Sequence, residues 1–235
     1  MYFAQHLRRL LSDLLSLLFP NLCAACGAGL HRGEVHICTR CLNELPYTDH
    51  HTDPANKAAK KLWGRIQFHA AMSLLHFRKG GRVQNIIHQL KYRNNRGIGL
   101  TLGRMMGEKI LQSAAFENIE VIIPVPLHRK RERSRGYNQS QCIAEGIAAV
   151  LQVPVNNTAI IRQVATRSQT NKNRFTRFEN MKDVFSVVNT DGLIGSHVLL
   201  VDDVLTTGAT IASCAGELNK SGIKKLSIAT VAFAN

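Results

Sequence analysis

Two adjacent carboxylates, Asp202 and Asp203, follow the apolar run Val198-Leu199-Leu200-Val201 and precede, after Val204-Leu205, the polar stretch Thr206-Thr207-Gly208-Ala209-Thr210. A short run rich in β-branched residues has the pattern of a strand buried on both faces. Two acids held side by side at the end of such a strand are costly unless a cation, a sugar diol or water relieves them. Just beyond, three threonine hydroxyls are offered, and Gly208 lets backbone N–H groups come close to a ligand. All of this sits at the start of a helical segment, Ile211 to Lys220, where free N–H donors attract a phosphate. Each part is common alone; together they read as a ribose-phosphate cradle.

A second constellation is Cys23-Ala-Ala-Cys26 with Cys38-Thr-Arg-Cys41, a CxxC-x11-CxxC spacing that suits a four-cysteine zinc ribbon or knuckle. Gly27, Gly29 and Gly33 fit the tight turns needed to point both sulfur pairs at one ion. No histidine or carboxylate completes an open catalytic site, so the expected Zn2+ is structural. His31 and His36 are surplus to four sulfurs, and Cys142 and Cys214 fall in helical segments as buried small residues.

The third is charge. Thirty Lys+Arg against sixteen Asp+Glu give a formal +14 over 235 residues. Residues 128–182 hold eleven basic and three acidic side chains, a net of +8. Such a segment attracts polyanions. Arg131, Arg133, Arg135, Arg174 and Arg177, with Tyr137, Phe175 and Phe178 as rings, suit a single-stranded nucleic acid, whose backbone is gripped by charge and whose bases stack. The alternatives are a solvated basic face and core aromatics.

These groups need a scaffold. With 45% hydrophobic and 6% aromatic residues, the length suits one α/β domain with a small appendage. Strands are expected over Ile66–Phe77, Glu120–Pro126, Ala159–Ile161, Val184–Val188, Val198–Val201 and Leu226–Phe233. Helices are expected from Gly80-Gly81 to Lys91-Tyr92, over Gly97–Leu111, and from Ser140 to Leu151. His128 and Arg129 leave a strand end toward a helix start, where basic side chains are well placed for a pyrophosphate. The stretch from Arg162 to Asn180 lacks apolar periodicity and reads as a long basic loop. His88, on the polar side of its helix, is a surface or packing residue.

At the N-terminus, leucines from Leu7 to Leu18 recur at helical spacing, opposite Arg8, Arg9, Ser12, Asp13 and Ser16, and Pro20 stops the helix. Asp13 interrupts any signal-peptide core, and no apolar run approaches the ~18 residues a membrane span requires. A cytoplasmic protein is expected, with this helix docked on its own body or, alternatively, resting weakly on a membrane surface. Residues 46–61 read as an irregular connector. The expected division is therefore 1–60, the helix and cysteine element, and 61–235, the α/β domain.

The stretch from Val198 to Thr210 resembles the phosphoribosyl-pyrophosphate (PRPP) loop of type I phosphoribosyltransferases. Around it lie, in order, the four cysteines, the His88-Gln-Leu-Lys91-Tyr92 helix end, Pro124-Val-Pro126-Leu127-His128-Arg129 with Arg135-Gly136-Tyr137-Asn138-Gln139, and Thr166, Gln169, Arg174 and Asn180. This set resembles the ComF (ComFC/GntX-like) family over nearly the whole chain. The resemblance implies a type I phosphoribosyltransferase-like parallel sheet with helices on both faces and a small N-terminal zinc element. It implies that Asp202 and Asp203 hold the ribose hydroxyls of PRPP with Mg2+, as the catalytic pair if transfer occurs. Thr206, Thr207, Gly208, Ala209 and Thr210 then bind the 5′-phosphate, and His128 and Arg129 complete the PRPP site. Its functional implication is natural transformation, with single-stranded DNA and DNA-uptake proteins as partners. Three activities stay open: a PRPP-binding module that handles DNA, an active transferase to a nitrogenous acceptor, and a PRPP-sensing regulator.

Overall fold

The computed structural model describes residues 20–93, 95–162 and 184–234. In chain order they form α1 (Thr39–Glu44), α2 (Lys57–Leu62), β1 (Ala70–Phe77), α3 (Arg82–Tyr92), α4 (Arg96–Leu111), a 3-10 turn, β2 (Val121–Pro124), α5 (Arg129–Arg135), α6 (Gln139–Leu151), β3 (Ile160–Arg162), β4 (Phe185–Val187), β5 (His197–Leu205), α7 (Ala209–Lys220) and β6 (Lys225–Ala234). The expected N-terminal helix and the basic loop carrying Arg174, Arg177, Phe175 and Phe178 lie outside the described residues. No helix among the described residues is long and apolar enough to cross a membrane.

The main sheet has the order β1-β6-β5-β2 with every pairing parallel. Its strands are buried on both faces, and alternate residues feed two apolar layers. From β5, Leu199 and Val201 join α3, α4 and α6 on one side. Val198 and Leu200 join α2, α7 and the antiparallel β3–β4 pair on the other. This is the expected α/β sandwich with helices on both faces.

Topology then determines where a crevice opens. β2 and β5 are neighbours, yet the chain leaving β2 packs α6 on one face while the chain leaving β5 packs α7 on the other. Connections that diverge from adjacent strand ends leave a ligand-sized gap at the carboxyl edge. Asp202, Asp203 and the threonine turn sit at that edge.

Three short helices were not expected. Inside the connector, α2 forms because the Asn56 side chain accepts the Ala59 N–H and Ala58, Ala59 and Leu62 are buried. Sequence pattern gave α5 no apolar stripe, and it buries no residue; it is held by His128 at its start and by left-handed Gly136 at its end. The third, α1, follows directly on Cys38.

The α4–α6 contact is unusually close because small residues line it. A Cβ on Gly103 would lie 2.1 Å from the Ile143 carbonyl oxygen, a backbone atom that cannot swing aside. Gly103→Ala should therefore be destabilising. Overpacking costs about 1–3 kcal/mol and the alanine's helix preference returns only about 1. A fall in melting temperature of a few degrees is expected, whereas Gly216→Ala in α7, where a Cβ meets nothing within 4 Å, should raise it. Thermal melts of the two variants check the pair; equal shifts would contradict the packing.

Candidate ribose-phosphate crevice and cysteine cluster

The edge of β5 places Asp202 and Asp203 among three neighbours contributed by other elements. The Ser140 hydroxyl, in the first turn of α6, donates to Asp202 Oδ1 at 2.9 Å, and the Asp203 N–H donates to the same oxygen at 2.8 Å. Ser140 is presented there because the Asn138 side chain caps α6, accepting the Ser140 N–H at 3.0 Å. Lys91, near the end of α3, pairs its Nζ with Asp203 Oδ2 at 2.7 Å, both side chains largely buried.

Burial and the adjacent Asp203 charge push Asp202 up to about 7, against the lowering from the Asp203 N–H, the Ser140 hydroxyl and Lys91. The pair therefore does not hold two full charges comfortably. One carboxylate is paired with an ammonium and the other, below about pH 7, is neutralised by a proton, which is how a buried acidic pair waits for hydroxyl donors or a cation.

The turn that follows is rigid from below. Gly208 is left-handed, at φ 78°, and opens α7. A Cβ there would approach Leu62 Cδ2 at 2.9 Å, so α2 packs directly beneath the turn. Arg65 donates to the Thr207 carbonyl oxygen at 2.5 Å. Thr206 and Thr207 are exposed, and the first N–H groups of the twelve-residue α7 have no acceptor within the helix. This is a positively polarised rim beside two acids.

On the β2 side a cleft of about 550 Å3 is lined by Pro124, Pro126, Arg129, Glu132, Asn138 and Arg162, among others. It adjoins the acids without including the Thr206–Thr210 turn, since Pro124 is registered against Val201. Arg162 lies over the Phe185 ring at 5.3 Å. Burial, and then the Arg131 charge, lower its affinity for a proton, against the attraction of Cys214 and Asp202.

The expected site residues thus distribute unevenly. Asp202, Asp203 and the segment from Thr206 to Thr210 share one edge. Arg129 stands at the adjacent strand end, while His128 spends Nδ1 accepting the Lys130 N–H at 3.2 Å. Arg131 and Arg133 are exposed on α5. Tyr137 requires a correction: it is only 5% exposed and its hydroxyl donates to the Leu90 carbonyl, so it belongs to the core and presents no face to a base. The chain turns inward immediately after Gly136, which is why a ring next to a basic stretch ends up buried. Lys91, named only as part of a helix end, Arg162, named only as the start of the basic loop, and Ser140 carry no expected role beside the acids. They reach the acids only through tertiary packing; the sequence signal available was the basic Lys91 closing an apolar helix.

At the other end of the chain, the Sγ atoms of Cys23, Cys26, Cys38 and Cys41 all lie within 4.8 Å of one another. Four sulfurs about 2.3 Å from a tetrahedral zinc are about 3.8 Å apart, and the Cys26–Cys38 separation is 3.9 Å. Burial raises the Cys23 thiol, but N–H groups of Cys38, Cys26 and Ala25 outweigh it and bring it down to about 6, whereas burial and the neighbouring cysteines push Cys41 well up in the metal-free cluster. Donors that stabilise a thiolate are what a metal-binding sulfur needs. The donor set fits zinc and, being all sulfur with three buried members, leaves no open position for catalysis.

Comparison with known proteins agrees with this architecture. Residues 138–235 match the family described as "Phosphoribosyl transferase domain". Competence protein F of Haemophilus influenzae is 26% identical over 221 residues, 89% of this chain and 96% of that protein. The DNA utilization protein YhgH of Escherichia coli O157:H7 is 29% identical over 227 residues, 88% of this chain and 94% of that protein. Competence protein ComFC of Bacillus subtilis is 31% identical over 102 residues, 43% of this chain and 39% of that protein.

Proposed function

The chain belongs to the ComF family of phosphoribosyltransferase-like proteins, and from that premise we propose that it binds PRPP with Mg2+ in the β2–β5 crevice and handles single-stranded DNA during natural transformation. The observation that carries the reading is the buried acidic pair, Asp202 held by Ser140 and Asp203 by Lys91, at the head of the Thr206–Thr210 turn. In this reading the ribose 2′- and 3′-hydroxyls donate to the acids, the 5′-phosphate lies on the turn and the start of α7, and Arg129 faces the pyrophosphate.

The acids also fit a magnesium ion, within limits. Lys91 already occupies Asp203 Oδ2, so the pair offers few free oxygens. Mg2+ characteristically keeps waters and shares one or two carboxylates with the ligand's phosphates. The metal would thus arrive with PRPP and screen the charge of its pyrophosphate.

The same acids would orient a ribose and temper positive charge at its anomeric carbon, so the transferase reading shares this site. The basic surface of α5, with Lys130, Arg131 and Arg133 exposed, favours the DNA-handling reading. Competence and DNA utilization are what the similar proteins are named for.

Mg2+-PRPP should raise the melting temperature, since a ligand at 100 times its Kd that binds only the native state adds about 2.7 kcal/mol. Asp202→Asn combined with Asp203→Asn should erase that shift while leaving a folded protein. A wild type that does not respond, or a double variant that responds equally, would overturn the site. Pyrophosphate release with a nucleobase, glutamine or ammonia would convert the reading from binding to transfer.

A further inference from the structure

The residue next to Lys91 differs from the buried Tyr137 that bonds to the same helix end. Tyr92, the last residue of α3, is 64% exposed. Its ring lies 4.8 Å from that of His88, one turn earlier on the same exposed side, with 41° between their planes. The Arg135 guanidinium stands over the Tyr92 ring, 5.6 Å from its centre. Arg135 is tethered on its other side, donating to Gln139 Oε1 at 2.7 Å.

An exposed aromatic alone needs no explanation. This one is placed by two restraints that face the crevice. Lys91 is drawn onto Asp203, which sets the rotation of the last turn of α3 and leaves Tyr92 outward at the rim. The Tyr137 hydroxyl on the Leu90 carbonyl then ties the chain emerging from α5 to the same helix end. The exposed basic helix α5, from Arg129 through Lys130, Arg131 and Arg133, therefore terminates at Arg135 against the Tyr92 ring.

A line of cations ending at an exposed aromatic pair is the arrangement that binds single strands, with phosphates on the charges and bases on the rings. A guanidinium over the ring adds to the stack. A duplex would present phosphates but no free base face. We propose that Tyr92, with His88 and Arg135, is the platform on which an unpaired base of single-stranded DNA stacks while α5 holds the backbone. The assignment rests on the DNA-handling reading above and gives it a location; it transfers to Tyr92 the stacking role expected of Tyr137.

The test compares an oligothymidylate with an abasic oligomer of equal length and charge, using the full chain at low salt. Wild type should bind the thymidylate roughly tenfold tighter than the abasic strand, the equivalent of one stacked base. Tyr92→Ala should lower thymidylate affinity to the abasic level and leave abasic affinity, salt dependence and melting temperature unchanged, since the ring is exposed. Tyr92→Phe should restore the preference. If wild type prefers thymidylate and Tyr92→Ala prefers it equally, the platform is wrong while DNA binding stands. If wild type binds both strands alike, binding is by charge alone and the platform falls. If it binds neither, the DNA-handling reading falls with it.

Discussion

Protein isolated from cells carrying the Cys41→Ser change is expected to lose its zinc, from one equivalent to none, and with it the fold of the N-terminal element. Cys23, Cys38 and Cys41 are all buried, and the segment around them contributes few large apolar side chains, Ile37 and Leu45 among them. A unit that small cannot hold itself by burial alone. Zinc binding to such cysteine sets is worth on the order of 10 kcal/mol and is largely folding free energy. The effect should spread, because these cysteines share one apolar cluster with Leu75, Ile86 and Ile98 in the body of the domain. Asn85 also donates to the Ala25 carbonyl at 2.9 Å, and the His36 ring packs so close to Gly97 that a Cβ there would fall 2.0 Å from Nε2. A drop in melting temperature of more than about 10 °C follows if only a few kcal/mol of the metal's contribution is lost. Elemental analysis and limited proteolysis over residues 20–45 would read both effects. Freshly isolated, reduced, folded wild type without zinc would overturn the assignment.

How much of this was legible without the fold depends on whether a signal was local. The β5 strand, the turn and α7 were readable because apolar run, acids, threonines and glycine are contiguous, and the cysteine cluster because its spacing is. The companions of the acids were not. Lys91 and Ser140 come from α3 and α6, with α4, β2 and α5 between them in the chain, and reach β5 only once both pack on one sheet face. The aromatic roles were assigned by neighbourhood in charge, which is a poor guide to burial. Tyr137 lies beside arginines, yet the left-handed Gly136 turns it onto α3. Tyr92 could have been found. Val83, Ile86, Ile87 and Leu90 form the buried stripe of α3, and a residue two positions beyond Leu90 is turned by about 200° from it, well off that stripe. α5 escaped notice because its sequence, RKRERSR, carries no apolar periodicity; only its caps, His128 and Gly136, announce it.

The acidic pair leads to an expectation opposite to the usual effect of altering a partly buried charged group. Asp202→Asn should make the unliganded protein more stable above neutral pH. In the fold its proton affinity rises from 3.8 to about 7, chiefly through burial and then the Asp203 charge. A carboxyl whose folded pKa is raised contributes stability that is fully present below about pH 4 and is lost as pH rises through about 7. At pH 8 wild type therefore carries a charge that its surroundings disfavour. The shift of about three units at 1.36 kcal/mol per unit gives a penalty on the order of 4 kcal/mol. Asparagine keeps an acceptor oxygen for the Ser140 hydroxyl and the Asp203 N–H and has no charge to hold. Urea midpoints of the ligand-free proteins should place the variant above wild type at pH 8, with the gap narrowing as pH falls through about 7 and closing toward pH 4, where the carboxyl is neutral in the folded and unfolded chain alike. Taking the difference at each pH removes other titrating groups, such as His50, that both proteins share. Adding Mg2+-PRPP at pH 8 should narrow the gap, by about 2.7 kcal/mol at 100 times Kd, because only wild type retains the full acidic pair for the ribose. Stability withheld from the empty protein and regained on binding is the signature of a residue kept for its ligand. A variant less stable than wild type at pH 8, or a gap that does not change with pH, would show that Asp202 is a structural acid satisfied by Lys91 and Ser140 alone.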